Sequence, residues 1–282
     1  MRRLLCLIAC LGLGGCSATG TLAALTASPA VAASPDIAYA AGPRHGLDLY
    51  RPRGRGAHPV VVFFYGGSWD SGRKRDYRFV GQALAARGYL TVIPDYRLYP
   101  EVRYPAFLQD GAQAVKWAHD HAAQYGGDPK KLFLMGHSAG AYNAAMLTYD
   151  QRLLHAVGLD PARDIKGLVG LAGPYDFLPL RSETLKVVFG PEDQRPATQP
   201  IAYVDGDEPP ALFMHGLNDT VVEAPNATRM AARIRQKGGR VETVFFNKLS
   251  HPLILASLAW PLRLLAPTMK TASAFIDREA AL

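Results

Sequence analysis

The stretch KLFLMGHSAG, residues 131–140, runs from an apolar segment directly into a serine enclosed by glycines. The apolar residues are typical of a buried strand, and the small residues that follow favour a helix. A strand that passes through Gly-x-Ser-x-Gly into a helix must turn sharply. Gly136 and Gly140 suit this turn, because a Cβ at either position would collide as strand and helix fold back. The stretch therefore predicts a strand, a tight turn with Ser138 at its tip, and a helix.

The rest of the chain alternates apolar segments with helical patterns. Strands that are apolar throughout indicate a mostly parallel sheet with helices on both faces, hence an α/β fold. The 282 residues are 49% hydrophobic and 20% charged, which suits one large domain, predicted over residues 36–282. The Pro-rich segment 177–207 predicts a small lid beside the sheet. Apart from 131–135, strands are predicted in the segments 47–52, 60–65, 89–97, 165–177, 210–219 and 240–249. The segments 165–177 and 210–219 end in turn residues.

The start of the chain has the pattern of an export signal. Two arginines precede a short apolar run, and Leu13-Gly14-Gly15-Cys16 resembles the lipobox of bacterial lipoproteins. This predicts a signal peptide over residues 1–15, lipidation of Cys16 and a flexible Ala/Ser/Thr/Gly/Pro tether over 16–35. Because Ser17 is not the aspartate associated with inner-membrane retention, we expect an outer-membrane anchor facing the periplasm. The alternatives are an uncleaved anchor, or a plain signal cut near Ala32, which would leave a secreted or soluble periplasmic protein.

Composition and motifs argue against several other classes of function. The formal net charge is +7, but the arginines are scattered without a Lys/Arg run, so nucleic acid is not an expected partner. All three cysteines, Cys6, Cys10 and Cys16, lie near the start, so the domain has neither a disulfide nor a Cys-ligated metal. We find no metal-ligand spacing and no dinucleotide-binding glycine pattern, and therefore expect no cofactor. The sequence does not indicate an oligomeric state.

Ser138 has candidate partners at the ends of later strands. A serine hydroxyl needs a base to become a nucleophile, and the base needs a carboxylate to orient it. His251 follows the last predicted strand and Asp219 follows the one before it, so both should reach the edge of the sheet where Ser138 lies. Asp176 also follows a strand and is the alternative acid. His215 ends a strand and is expected to brace the acid loop.

Several ordered motifs resemble a known family. The segments FFYGGSW, PDYRLYPEVRYPAFLQD, GHSAG, QPIAYVDGDEPPALFMHGLNDTVV and SHP resemble α/β-hydrolase esterases related to hormone-sensitive lipase. The likeness is greatest to their carboxylesterase and feruloyl-esterase-like (BD-FAE) branch, and it implies an α/β-hydrolase fold with an eight-stranded sheet. It also implies a catalytic order Ser, Asp, His and an oxyanion hole formed by the N–H groups of Gly67, Ser68 and Ala139. The chain departs from the family motif His-Gly-Gly-Gly at Tyr65 and Ser68. Neither change removes a backbone N–H, so we expect the oxyanion hole to be kept and the pocket above it to be reshaped.

The resemblance implies a serine ester hydrolase that forms an acyl-enzyme. The shortness of the lid favours short-chain esters or esters on carbohydrate fragments, so the expected partner is a small-molecule or oligosaccharide ester. Trp69, Tyr65, Tyr175 and Phe177 are candidate pocket residues. An amidase, formamidase or peptidase could use the same three side chains, and a non-catalytic binding protein could share the fold. Membrane contact is expected only through a lipid at Cys16.

If Cys16 carries the lipid anchor, Cys16→Ser should move the protein from the membrane fraction to the soluble fraction. The reason is that serine offers no thiol for acylation. Fractionation of cells producing either form, followed by immunoblotting, measures the distribution. Continued membrane retention of the Cys16→Ser protein would contradict a lipoprotein.

Overall fold

One eight-stranded sheet organises the chain in this computed structural model, which describes residues 18–54, 56–260 and 262–282. The strands are β1 Val31–Ala38, β2 Gly46–Pro52, β3 His58–Phe64, β4 Leu90–Pro94, β5 Gly127–His137, β6 Gly167–Leu171, β7 Ala211–Gly216 and β8 Val241–Phe246. Their order across the sheet is β1-β2-β4-β3-β5-β6-β7-β8. The β1–β2 and β2–β4 pairs are antiparallel, and the other pairs are parallel. The predicted α/β-hydrolase fold is confirmed.

Helices connect the strands and cover the sheet. They are α1 Ala18–Thr26, α2 Arg78–Ala85, α3 Ala106–His121, α4 Ala139–Tyr149, α5 Gln151–His155, α6 Pro161–Asp164, α7 Glu183–Val188, α8 Pro225–Gln236, α9 His251–Ala256 and α10 Thr268–Ala280. The β3–α2–β4 crossover runs across the sheet in the direction opposite to the crossovers that follow it. Right-handed connections therefore place α2 on the face opposite α3 and α4. α10 lies next to the segment that joins α2 to β4, where the Tyr89 hydroxyl donates to Asp277 Oδ1 at 2.8 Å.

The predicted flexible tether over residues 16–35 does not hold for its described part, residues 18–35. α1 packs against α2, and β1 pairs with β2 along the sheet edge, with a bulge between Ser34 and Ile37. The strand pairing depends on backbone N–H and C=O groups, which any extended segment can supply at an open edge, whatever its side chains. Because the segment consists mostly of small residues, the sequence analysis did not predict β1, the eighth strand of the sheet. The hydrolase domain begins before residue 36.

An ion cluster fastens β1 to the sheet. Lys74 is buried, and its ammonium group donates to Asp48 at 2.8 Å and to Asp36. Asp48 also accepts the backbone N–H of Asp36 at 3.0 Å. A buried ammonium is tolerated only when carboxylates surround it, so this cluster fixes the position of the N-terminal strand.

The predicted signal peptide, residues 1–15, and the predicted lipidation site, Cys16, lie outside the described residues. Within the part of the chain that the structure describes, no helix combines the length and apolar character needed to cross a bilayer.

The segment predicted as a lid contains the short helix α7 and two 3-10 helices, Glu192–Thr198 and Pro200–Tyr203. It lies beside the sheet between β6 and β7 in the chain. The Tyr142 hydroxyl of α4 donates to the Thr198 carbonyl at 2.6 Å, which attaches the lid to the helix after the Ser138 turn. The carboxyl ends of the parallel strands open beneath it, at the edge where ligands bind in such sheets.

Candidate active site

The turn between β5 and α4 has the strained geometry that its glycines permit. Ser138 has φ 56° and ψ −126°, outside the ordinary helical and extended regions. A Cβ on Gly136 would lie 2.2 Å from the Gly140 carbonyl oxygen, and a Cβ on Gly140 would lie 2.0 Å from the Phe64 carbonyl oxygen. Both contacts are far too short, so only glycine fits at either position. The turn therefore raises the Ser138 side chain at the carboxyl edge of the sheet.

Three residues from separate loops form a continuous hydrogen-bonded chain. The Ser138 hydroxyl lies 2.8 Å from His251 Nε2, and His251 Nδ1 lies 2.7 Å from Asp219 Oδ2. A neutral imidazole with its proton on Nδ1 donates to the carboxylate and accepts from the hydroxyl. The three side chains that the sequence selected are thus brought into contact, in an arrangement suited to removing the hydroxyl proton.

The carboxylate of Asp219 is held in its ionised form. Its Oδ1 accepts the backbone N–H groups of Val221 and Val222, each at 2.9 Å. His215 Nε2 lies 3.4 Å from Oδ2 and donates to the Val222 carbonyl at 2.8 Å, so it braces this loop. Burial opposes ionisation, but the hydrogen bonds from His215, His251 and the Val222 N–H outweigh it and hold the pKa of Asp219 well below its usual range.

Asp176, the alternative acid, has a different partner. Its carboxylate pairs with Arg229 Nε, and Arg229 also donates to its backbone carbonyl at 2.6 Å. Within the described residues it makes no hydrogen bond to His251. Asp219 is therefore the acid that the geometry favours.

His137, inside the turn, supports His251 from behind. Its Nε2 lies 3.0 Å from the His251 carbonyl oxygen, and the two rings are 4.7 Å apart between centroids. Burial lowers the pKa of His137 to about 3, so the ring is neutral at ordinary pH and donates from Nε2. This bond joins the serine turn to the histidine loop.

The loop after β3 carries the predicted oxyanion donors. Gly67 has φ +135°, and a Cβ there would lie 2.2 Å from the Ser71 carbonyl oxygen, so this glycine serves the turn of the loop itself. The next two residues, Ser68 and Trp69, have φ 49° and 61°. Left-handed backbone costs a non-glycine residue roughly 1–2 kcal/mol, so surrounding contacts must hold both. The N–H groups of all three predicted donors, Gly67, Ser68 and Ala139, meet no acceptor among the described residues.

A pocket of about 360 Å³ opens beside Ser138. Ser68, Trp69, Ala139 and Phe177 line it, as predicted for Trp69 and Phe177, whereas Gly67 is not part of its wall. The sequence analysis did not assign the remaining wall residues to the pocket. The predicted lid directly follows Asp176, and this proximity could have indicated that lid residues line the pocket. The remaining wall residues are Pro174, Asp176, Leu178 to Ser182, Leu185, Val221 to Glu223, Asn226 and Arg229.

Two of the predicted pocket residues, Tyr65 and Tyr175, do not reach the pocket. Both are fully buried. The Tyr65 ring stacks on Tyr96 at 4.8 Å, and its hydroxyl donates to Asp95 at 2.7 Å and accepts from Arg44 at 2.8 Å. It supports the oxyanion loop from below.

The Tyr175 ring packs against Phe213 at 4.6 Å. A Cβ on Gly170 would lie 1.9 Å from the Tyr175 hydroxyl oxygen, and one on Gly173 would lie 2.4 Å from Tyr175 Cζ, so these two glycines make room for the side chain. They are the sequence signal that Tyr175 folds inward.

The chain is similar to a family model and to curated proteins named as esterases. The family model named BD-FAE matches residues 47–234. The chain is 29% identical over 237 residues to the "Probable isoprenylcysteine alpha-carbonyl methylesterase ICMEL1" of Arabidopsis thaliana, covering 76% of this chain and 50% of that protein. It is 30% identical over 220 residues to esterase LipC of Mycobacterium tuberculosis, with 71% and 54% covered. The chain therefore spans about half the length of these curated relatives.

A solved structure titled as a truncated form of a carbohydrate esterase from gut microbiota has a similar fold. Its TM-score is 0.79 at 19% sequence identity, over 91% of this chain and 99% of that one. At this identity the likeness shows the fold alone.

The two candidate acids predict different effects on ester hydrolysis. Asp219→Asn should lower kcat by about 10³–10⁴-fold, because the amide no longer stabilises a charged His251. Asp176→Asn, the matched control, should change kcat about fivefold or less, because it removes only a partly exposed ion pair with Arg229. Steady-state kinetics on p-nitrophenyl butyrate measure both. Equal losses in the two variants would contradict the assignment of the acid.

Proposed function

The chain belongs to the BD-FAE family, and on that premise we propose that it is a serine carboxylic-ester hydrolase acting through an acyl-enzyme. The observation that carries the proposal is the unbroken chain of hydrogen bonds from Ser138 through His251 to Asp219. The unpaired N–H groups of Ser68 and Ala139 beside the same serine add the second requirement of acyl transfer.

In the first half of the reaction, Ser138 Oγ attacks the ester carbonyl carbon while its proton passes to His251 Nε2. The carbonyl oxygen becomes an oxyanion, and the N–H groups of Ser68 and Ala139, with that of Gly67 as a further donor, stabilise it. Collapse of the tetrahedral intermediate breaks the bond to the alcohol oxygen, which leaves with the proton from His251. The acyl group remains on Ser138.

In the second half, a water molecule replaces the serine hydroxyl as the nucleophile. His251 takes a proton from the water as the remaining hydroxide attacks the acyl carbon. The intermediate then releases the carboxylic acid, and the proton returns to Ser138. Asp219 keeps its charge throughout, and this charge favours the imidazolium form of His251 in both transition states.

For the substrate, we propose short-chain or carbohydrate-linked esters. The pocket beside Ser138 is small, and residues of the lid, including Leu180 and Leu185, close one of its sides. Arg181, Glu223 and Arg229 provide polar groups at the wall, which suit a hydroxylated alcohol portion. Curated relatives named as esterases, such as esterase LipC of Mycobacterium tuberculosis, support an ester as the substrate.

Ser138→Ala tests the mechanism directly. It should reduce hydrolysis of p-nitrophenyl acetate by at least about 10⁴-fold, because no other group on the chain of hydrogen bonds can form the acyl-enzyme. Circular dichroism and thermal melting serve as controls for folding. If the folded Ser138→Ala protein retains its rate, the proposed mechanism is wrong.

The acyl-chain preference follows from the size of the pocket. Across p-nitrophenyl acetate, butyrate, octanoate and decanoate, kcat/KM should be highest for acetate or butyrate and should fall with chain length. The end of a longer acyl chain would extend beyond the pocket and stay exposed to water, so its burial would add nothing to binding. Faster turnover of decanoate than of butyrate would contradict this preference. A screen of acetylated and feruloylated saccharides and of simple amides would then separate the ester classes from amides.

A further inference from the structure

The oxyanion loop needs an external restraint. Ser68 and Trp69 both have left-handed backbone, a conformation that persists in non-glycine residues only where surrounding contacts impose it. Ser68 carries one of the predicted oxyanion N–H groups that meet no acceptor among the described residues. Any relaxation of this backbone would turn that N–H away from the serine.

The Trp69 side chain supplies the contacts that hold the loop. The indole is buried and stacks on Phe177, while the rings of Phe189 and Tyr142 meet it edge-on at 4.8 and 5.0 Å. Its Nε1 donates to Asn143 Oδ1 at 2.9 Å. Ring packing has little directional preference, so the indole could shift within its own plane. The hydrogen bond is directional and fixes the orientation of the ring.

Asn143 is an unusual residue for its place. It is 1% exposed on α4, a helix made largely of small and apolar residues. Its Oδ1 faces Trp69, because an indole nitrogen can only donate. Its Nδ2 is buried beside the Tyr96 hydroxyl and makes no hydrogen bond of normal geometry within the described residues. An unpaired buried N–H destabilises a fold, and an apolar side chain would avoid it, so packing alone does not account for asparagine here.

We propose that Asn143 is a positioning residue for the oxyanion hole. α4 begins at Ala139, which carries one donor N–H, and the β3–α2 loop carries the other at Ser68. The Asn143–Trp69 hydrogen bond fastens the loop to that helix, so the two N–H groups stay directed at one point. This inference rests on the proposed ester hydrolysis and deepens it, because it assigns a residue that sets the geometry of that site without touching the substrate.

The test compares Asn143→Leu with two matched variants. Asn143→Leu keeps the volume and removes the acceptor, and it should lower kcat about 10–100-fold with a smaller change in KM, because a displaced donor affects the transition state. The inhibition constant of a trifluoromethyl ketone, which forms an oxyanion on Ser138, should rise by a similar factor. Asn143→Asp retains the acceptor oxygen and should recover most of the lost kcat.

Thr148→Val controls for stability. Thr148 is also buried on α4. Among the described residues its hydroxyl bonds only to the Ala144 carbonyl, so this change affects the helix and not the loop. It should lower the melting temperature while kcat stays within about twofold of the wild-type value. Titration with a phosphonate inhibitor counts competent sites, so each kcat refers to folded enzyme.

The outcomes separate this inference from the proposed function. If Asn143→Leu keeps the wild-type kcat and inhibition constant, or if Thr148→Val loses as much kcat, Asn143 is not a positioning residue. That result leaves ester hydrolysis intact provided that Ser138→Ala is inactive. If the wild-type protein hydrolyses no ester, or if Ser138→Ala remains active, the proposed function itself fails.

Discussion

The turn at Ser138 is the constraint on which the rest of the site depends. Its backbone is strained, and it exists only because Gly136 and Gly140 allow β5 and α4 to approach within contact distance of the strand that ends at Phe64. That closeness sets the position of the hydroxyl and of the Ala139 N–H together. Every other functional group is then placed relative to this point.

The parallel sheet solves the problem of bringing distant residues to that point. Strands β3, β5, β7 and β8 end at the same edge, so their following loops deliver Ser68, Ser138, Asp219 and His251 to one region. Hydrogen bonds from buried side chains hold two of these loops in place. His215 braces the acid loop and His137 braces the histidine loop, each through a backbone carbonyl. Through these two hydrogen bonds, buried histidines fix the positions of Asp219 and His251 relative to Ser138.

The N-terminal segment illustrates a limit of reasoning from composition. Residues 18–35 are mostly small or polar and resemble a linker, yet the segment forms a helix and an edge strand. Backbone pairing at an open sheet edge depends little on side chains, and the carboxylates of Asp36 and Asp48 meet Lys74 far along the chain. No local pattern indicates that contact.

The sequence by itself determined the fold class, the serine turn, the candidate base and the preferred acid, because each depends on a local pattern or on the rule that loops gather at the carboxyl edge. Only the tertiary structure decided that Tyr65 and Tyr175 fold inward and that Asn143 meets Trp69. These outcomes depend on which surfaces pack together across long stretches of chain. Burial and hydrogen bonding between distant segments are properties of the folded chain, and no spacing of residues encodes them locally.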